Sequence, residues 1–170
     1  PLPATAQDGV ARTIAPHLVD GQVLFIPPGT FGALTMSRII RQMGNQADLA
    51  FVEAGTLPYL ARLRGEDVVA ISARTTRLPS GVYPARHTDH ALAIVAKAFP
   101  AVEPLSDALD AALMNAGPII HPPLILMNAG PMQHFDAWDI HNEGTQPAIR
   151  TVTDVLDEER IAVREALGYG

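Results

Sequence analysis

A histidine lies inside an apolar run in the segment GPIIHPPLILMNAG, residues 117–130. Isoleucine and leucine neighbours would disfavour the charged imidazolium of His121, unless a carboxylate or a substrate anion stabilises that charge. The ring could then gain or lose a proton near neutral pH. Such a ring can give and take a proton, and His121 is therefore the candidate catalytic residue. The alternative is a core histidine bonded to a backbone carbonyl. Asn115 and Asn128 flank the run and are candidate substrate-binding residues.

Two prolines follow the histidine directly. Pro122 and Pro123 remove two backbone N–H donors and leave carbonyls one turn earlier without their helical partners. We therefore expect the helix to break here and to open a cleft beside His121.

A second group of candidates lies where predicted strands end. Pro28, Gly29 and Thr30 follow an apolar strand in the sequence IPPGTFGA, and Glu53 and Thr56 follow the next one. Ligands of open parallel sheets bind beyond the carboxyl ends of the strands, which makes the first three candidate cofactor contacts and the other two candidate substrate contacts. The alternatives are a proline-stiffened turn and, for Glu53, a helix cap or a surface salt bridge.

A third group of ionisable residues crowds into ten positions, 134–143. It comprises His134, Asp136, Asp139, His141 and Glu143. Metal sites on helices favour ligand pairs four residues apart or tightly fixed loops, and a region with Gly130, Pro131 and Gly144 offers no predictable geometry. We predict a solvated loop and no metal, and keep a metal-dependent hydrolase as an alternative.

The first part of the chain alternates between helix and strand patterns. The predicted elements are a helix at 5–17, a strand at 22–26, a helix at 31–43, strands at 48–53 and 67–75, a loop at 75–84 and a helix at 86–99. The first two strands are apolar without alternation, which is typical of strands covered on both faces in parallel sheets. We therefore predict an α/β fold with a parallel sheet of Rossmann type.

The pattern changes after residue 106. Helix signals dominate from there to the C-terminus, and Thr151 or Thr153 is expected to cap the last helix. We place a domain boundary near residue 106, with residues 1–106 forming the second half of a dinucleotide-binding domain and residues 107–170 starting an all-helical domain.

Composition excludes several classes. The net charge is −6 and the 12 basic residues are scattered, so we expect no nucleic-acid partner. No apolar run reaches the ~18 residues of a membrane span. The chain has no cysteine and no signal-peptide pattern, and a cytoplasmic location is expected. It opens PLPATAQDGV without methionine, and we expect further residues upstream.

Five segments together resemble the NAD/NADP octopine/nopaline (opine) dehydrogenase family. They are IPPGTFGAL, FVEAGTLPYLAR, NAGPIIHPPLILMNAG, EGTQPAIRTV and LDEERIAVREALG. The resemblance covers nearly the whole chain but only the central portion of such an enzyme. It implies a Rossmann domain that binds NAD or NADP, followed by a helical domain with the substrate site. It also implies reduction of the imine formed from an amino acid and a 2-oxo acid such as pyruvate.

The resemblance assigns a role to His121. His121 matches the family's catalytic histidine, which polarises the carbonyl or imine, and the cofactor would lie near Pro1 and near Pro28 to Thr30. The glycine fingerprint is expected before Pro1 and the acidic partner of His121 beyond Gly170. Pro27 stands where the family usually has asparagine. A homodimer is a further possibility. A non-catalytic fragment or binding module is the alternative function.

Overall fold

The computed structural model describes residues 4–170, so the predicted cofactor contact at Pro1 lies outside the described residues. The chain divides into two compact units, Pro1–Asn115 and Ala116–Gly170. The boundary predicted near residue 106 stays a prediction. Among the described residues, no helix is both long and apolar enough to cross a membrane.

The first unit contains six strands and four helices among its described residues. In chain order they are α1 (Gln7–Ile14), β1 (Val23–Ile26), α2 (Gly32–Gln42), β2 (Ala50–Ala54), β3 (Tyr59–Arg64), β4 (Val68–Arg74), β5 (Leu78–Tyr83), α3 (Thr88–Val95), β6 (Val102–Pro104) and α4 (Ala108–Met114). Short 3₁₀ turns extend α1 on both sides and precede α3.

Four of these strands form the central sheet, in the order β1-β2-β5-β6. The β1–β2 and β5–β6 pairs are parallel, and α2 and α3 supply the crossover connections that parallel neighbours need. The β2–β5 pair is antiparallel, with Val52 opposite Val82. The predicted α/β fold is confirmed, but its sheet is mixed rather than purely parallel.

Both faces of this sheet are covered. On one face Phe51 packs in a cluster with Met36 and Ile40 of α2 and with Ala11 of α1. On the other face Val52 and Val82 pack with residues of α3, including Leu92. Since alternate strand residues point to opposite faces, burial on both explains why β2 is apolar along its length, apart from Glu53.

The strand predicted at residues 67–75 does exist, but it does not join the central sheet. It is β4, which pairs with β3 in a separate two-stranded hairpin. This hairpin carries the chain out and back, so that β5 returns antiparallel to β2 without a crossover helix. The prediction of a loop at residues 75–84 was therefore wrong. Most of this segment is β5, a central strand that contains Pro79 and Gly81.

The second unit is helical, with α5 (Gly117–Met127), α6 (Ala129–His134) and α7 (Pro147–Ala166). The predicted break at Pro122 is wrong, because α5 continues through both prolines to Met127. The predicted threonine caps of the last helix are also wrong. Helix α7 begins at Pro147, and the Thr151 hydroxyl donates to the Pro147 carbonyl inside its first turn.

Candidate cofactor and catalytic sites

The turn from β1 to α2 is held by one carboxylate, that of Glu53 at the end of β2. Glu53 Oε1 accepts a hydrogen bond from the Ala33 N–H at 2.6 Å, and Oε2 accepts from the Phe31 N–H at 3.1 Å. These N–H groups lie at the N-terminus of α2 and have no partner within the helix. The carboxylate therefore satisfies the start of α2 from a neighbouring strand, a role related to a helix cap.

Burial has the largest effect on the pKa of the Glu53 carboxyl. Glu53 is only 1% exposed, and the loss of solvation raises the pKa of its carboxyl above the ordinary value. The backbone N–H groups of Ala33, Phe31 and Thr30 lower the pKa but do not outweigh burial. Glu53 is thus a buried acid that holds its proton more tightly than an exposed glutamate.

Gly29 occupies a space that no side chain could share. A Cβ at this position would lie 2.7 Å from Glu53 Oε2 and 3.1 Å from the Ala112 Cα. Its carbonyl accepts from Asn115 Nδ2 at 2.8 Å, and its N–H donates to the Ala54 carbonyl. The glycine therefore lets the turn pack directly on β2 and α4.

A cleft of about 630 Å³ lies beside this turn, within the first unit. Pro28 and Thr30 line it, together with apolar side chains that include Phe25, Ile26 and Tyr59. The size is within the range of small-molecule and cofactor sites, about 300–1,000 Å³. Two of the predicted cofactor contacts therefore border one cleft.

Gln7 is a residue of this cleft that sequence reasoning missed. Its side-chain amide donates to Thr30 Oγ1 at 3.1 Å, and it lies 2.9 Å from where a Cβ on Gly32 would be. A single glutamine in an amphipathic first helix gives no spacing signal, and only the tertiary structure brings it to the turn.

The predicted substrate contacts in the first unit differ in accessibility. Thr56 is exposed in the segment after β2, whereas Glu53 and Asn115 are buried. Asn115 is 8% exposed, and its amide is bonded to Gly29, 86 positions earlier in the chain. It therefore ties the end of α4 to the β1–α2 turn.

His121 lies in the first half of α5 and is exposed. The apolar surroundings expected from its neighbours in sequence are absent, because Ile120 and Ile125 are themselves 44% and 47% exposed. Its ring lies edge-on to that of His141, with 6.4 Å between ring centroids. Among the described residues, the His121 ring has no hydrogen-bond partner.

Asn128 is a buried junction of the second unit, and it is only 3% exposed. Its Nδ2 donates to the carbonyls of Leu124 and Gly144, at 2.8 and 3.0 Å. Its Oδ1 accepts from Trp138 Nε1 at 3.0 Å. The side chain thereby fastens the segment between α6 and α7 to the end of α5.

The ionisable residues at 134–143 do not share one local structure, since His134 ends α6 and Asp139 to Glu143 lie in a turn. Asp139 Oδ1 accepts from the N–H groups of His141 and Asn142, and Oδ2 accepts from Asn142 Nδ2 at 2.6 Å. These bonds, led by that from the Asn142 side chain, lower the pKa of Asp139. In the part of the chain that the structure describes, no three His, Asp or Glu side chains gather as a metal site would require.

Comparison with known proteins identifies families that resemble this chain. Residues 104–170 match the family model of the alpha-helical domain of NAD/NADP octopine/nopaline dehydrogenase. The chain is related to the octopine/nopaline dehydrogenases. The resemblance found in the sequence motifs is thereby confirmed, and the matched residues include His121 and Asn128.

Two curated relatives extend the similarity over nearly the whole chain. The opine dehydrogenase of Arthrobacter sp. (strain 1C) is 25% identical over 97% of this chain. The vitopine synthase of Allorhizobium ampelinum (strain ATCC BAA-846 / DSM 112012 / S4) is 26% identical over 98% of it. The alignments cover 46% of each relative, so this chain spans about half their length.

Solved structures of opine dehydrogenases share the fold. Yersinopine dehydrogenase aligns over 87% of this chain and 38% of its own, with a TM-score of 0.67 and 14% identity. Octopine dehydrogenase in complex with NADH and L-arginine aligns over 81% of this chain and 34% of its own, with a TM-score of 0.56 and 18% identity. The architecture is therefore that of a Rossmann-like part followed by a helical part.

Proposed function

We propose that this chain forms the central part of an NAD(P)H-dependent opine dehydrogenase. Such an enzyme reduces the imine formed from an amino acid and a 2-oxo acid such as pyruvate, and yields a secondary-amine dicarboxylate. The observation that carries the proposal is the match of residues 104–170, with His121 inside it, to the helical domain of this family. Relatives named opine dehydrogenase and vitopine synthase support it.

The cleft beside the β1–α2 turn suits a dinucleotide. Its volume of about 630 Å³ and its apolar lining fit a planar ring, and Pro28 and Thr30 would contact it. Gly29 would act by letting the turn pack closely on β2 and α4, so that Pro28 and Thr30 border the cleft. Pro1 is proposed to contribute as well. NADH or NADPH would supply the hydride. A solved relative was determined with NADH, which supports this class of cofactor.

His121 is proposed as the proton donor. In its protonated form, a ring nitrogen would donate a hydrogen bond to the carbonyl oxygen or imine nitrogen of the substrate and so polarise it. The exposure of the ring supports this role, since nothing among the described residues occupies its nitrogens.

The proposed substrate-binding residues divide into two groups. Thr56 is exposed and can contact a substrate directly. Glu53, Asn115 and Asn128 are buried and bonded to backbone groups. This supports a positioning role, in which Glu53 and Asn115 hold the β1–α2 turn and Asn128 holds the segment between α6 and α7.

The first prediction concerns His121 in the full-length protein. We expect His121→Gln to reduce turnover at least ~100-fold, because general acid–base catalysis contributes about 10²–10⁴-fold. The measurement is the oxidation of NADH and of NADPH in the presence of pyruvate and a panel of amino acids, with mass detection of the secondary amine.

His134→Gln is the matched control, because His134 is also an exposed histidine of the second unit. It should leave turnover within a few-fold of wild type. The assignment fails if His121→Gln does the same. NADH binding, followed by fluorescence, should be equal in both variants, since neither histidine is proposed to hold the cofactor.

The alternatives have distinct outcomes. A non-catalytic binding module would bind NADH yet form no product with any amino acid and 2-oxo acid. A metal-dependent hydrolase would lose activity on chelation, and the arrangement of residues 134–143 does not support it. Sedimentation would test the proposed homodimer, and fractionation the proposed cytoplasmic location.

A further inference from the structure

A cationic cleft lies in the first unit, at the amino end of β2. It has a volume of about 350 Å³ and touches β2 at Phe51, whereas Glu53 at the other end of the strand holds the proposed cofactor turn. Three arginines line it, namely Arg38, Arg41 and Arg86. Neither Pro28 nor Thr30 borders it, so it is separate from the proposed cofactor cleft.

The charge of this cleft is only partly compensated. Arg86 donates to Asp48 at 2.6 Å, and His87 contacts the same carboxylate oxygen at 2.9 Å. Arg41 donates to neutral groups, the Asn45 carbonyl and the Gln46 side chain. Within the described residues, no carboxylate lies within 4.0 Å of the Arg38 or Arg41 guanidinium groups. Two positive charges are therefore available in addition to the Arg86–Asp48 pair.

The position of Arg38 and Arg41 on α2 is costly for the helix itself. Residues three apart lie on the same side of a helix, and like charges one turn apart repel. Arg41 lies in the last turn, where a positive charge is favourable to the helix dipole. Arg38 lies almost a turn earlier and has less of that benefit. An anion between the two guanidinium groups would remove the repulsion.

An apolar cavity of about 390 Å³ shares three wall residues with the cationic cleft. These are Leu34, Tyr83 and Pro84. Leu34 is 53% exposed and Tyr83 is 42% exposed, so their side chains are available for contact. A ligand held by the arginines could place an apolar ring or chain against this wall.

We propose that this cleft binds a small phosphate monoester that carries an apolar ring or chain. Arg38 and Arg41 would hold the phosphate, because planar guanidinium groups pair with phosphate oxygens in a bidentate manner. Leu34, Tyr83 and Pro84 would contact the apolar part. This second ligand site does not depend on the proposed dehydrogenase activity.

The test uses 1-naphthyl phosphate as the probe and calorimetric titration of the full-length protein, with and without NADH. We expect saturable binding that NADH leaves unchanged, and at least ~10-fold weaker binding of 1-naphthol and of inorganic phosphate, each of which lacks one half of the recognised chemistry. Loss of binding on adding NADH would place the probe in the cofactor cleft and overturn the proposal. Equal affinity for inorganic phosphate would overturn it as well.

Variants locate the site. Arg38→Ala combined with Arg41→Ala should weaken 1-naphthyl phosphate at least ~10-fold, and Arg64→Ala, an exposed arginine of β3 outside the cleft, should not. Leu34→Asp provides a second test on an exposed position. It places a negative charge beside the phosphate and should weaken the probe by a similar factor. Unchanged affinity in either the arginine or the leucine variant would overturn the proposal.

Discussion

Glu53 couples protonation to stability at the level of one residue. Burial raises the pKa of its carboxyl, so the folded protein binds this proton more tightly than the unfolded chain does. The stability that the protonated form contributes is complete at low pH and is lost as pH rises through the folded pKa. The protein should therefore lose stability as pH rises out of the ordinary carboxyl range.

Glu53→Gln tests this coupling. The amide NH₂ would face one of the two N–H donors at the start of α2, and we expect a loss of about 1–3 kcal/mol in the free energy of unfolding. Glutamine does not titrate, so the difference between wild type and variant should narrow as pH rises. Urea unfolding of wild type and variant, between about pH 4 and pH 8, measures this difference in unfolding free energy. A difference that widens with pH would contradict a raised pKa for Glu53.

Asn128 provides a second residue-level prediction. Removing its side chain leaves the Gly144 carbonyl and the Trp138 indole N–H without their partners. We expect Asn128→Ala to cost about 2–4 kcal/mol, because buried polar groups that lose their partners pay their desolvation cost. Trp138 is the only tryptophan, so its fluorescence reports the change directly. An unaltered spectrum and urea midpoint would refute the structural role.

The sequence identified these polar residues but not their partners. Asn115, Asn128 and Glu53 stand out because each lies next to apolar or strand-forming residues. Their actual contacts are backbone groups distant in sequence, such as the Gly29 carbonyl for Asn115. Such pairings depend on how elements pack, and no local pattern specifies them. The exposure of His121 also depends on packing, because it is set by which side of α5 other elements cover. The local sequence therefore did not predict it.

At the scale of elements, the β1–α2 turn requires glycine at position 29. We expect Gly29→Ala to cost about 1–3 kcal/mol, because the new methyl group would overlap Oε2 of Glu53, and hydrogen bonds to both oxygens hold that carboxylate in place. Gly9→Ala is the matched control. Gly9 lies in α1 with open space around it, and this change should stabilise by about 0.5–1 kcal/mol.

The outcome of the double variant Gly29→Ala with Glu53→Ala decides the mechanism. If the overlap with Glu53 causes the cost, the two changes should be non-additive, with the pair less destabilising than the sum of the singles. Additive effects in urea unfolding would assign the cost of Gly29→Ala to the two other close atoms, the Ala112 Cα and the Glu53 Cβ, each 3.1 Å from the new methyl group.

Helices and strands around this turn could be predicted, but the sheet order could not. The apolar runs of β1 and β2 and the periodicity of α2 are local signals, and all three elements occur where expected. β5 was missed because Gly81 is typical of a loop. Gly81 is required for another reason, since a Cβ there would collide with the Asp107 carbonyl where α4 crosses the strand. β4 has an apolar sequence although most of its side chains are exposed in a hairpin.

At the scale of the whole molecule, the second unit leaves much of its apolar surface uncovered. Leu124 of α5 is 3% exposed, but Leu126 in the same helix is 74% exposed. We expect Leu126→Gln to change the unfolding free energy of the 170-residue chain by less than about 0.5 kcal/mol, as exposed positions usually do. Leu124→Ala should cost about 2–5 kcal/mol, because it leaves a cavity.

Trp138 fluorescence during urea unfolding measures both variants, since Trp138 lies in the same unit as α5. The exposure of Leu126 also bears on association. An uncovered leucine favours contacts between molecules, so Leu126→Gln should reduce concentration-dependent light scattering of this chain. If Leu126→Gln destabilises as much as Leu124→Ala, then the side of α5 that carries Leu126 is covered in solution, which would contradict its 74% exposure.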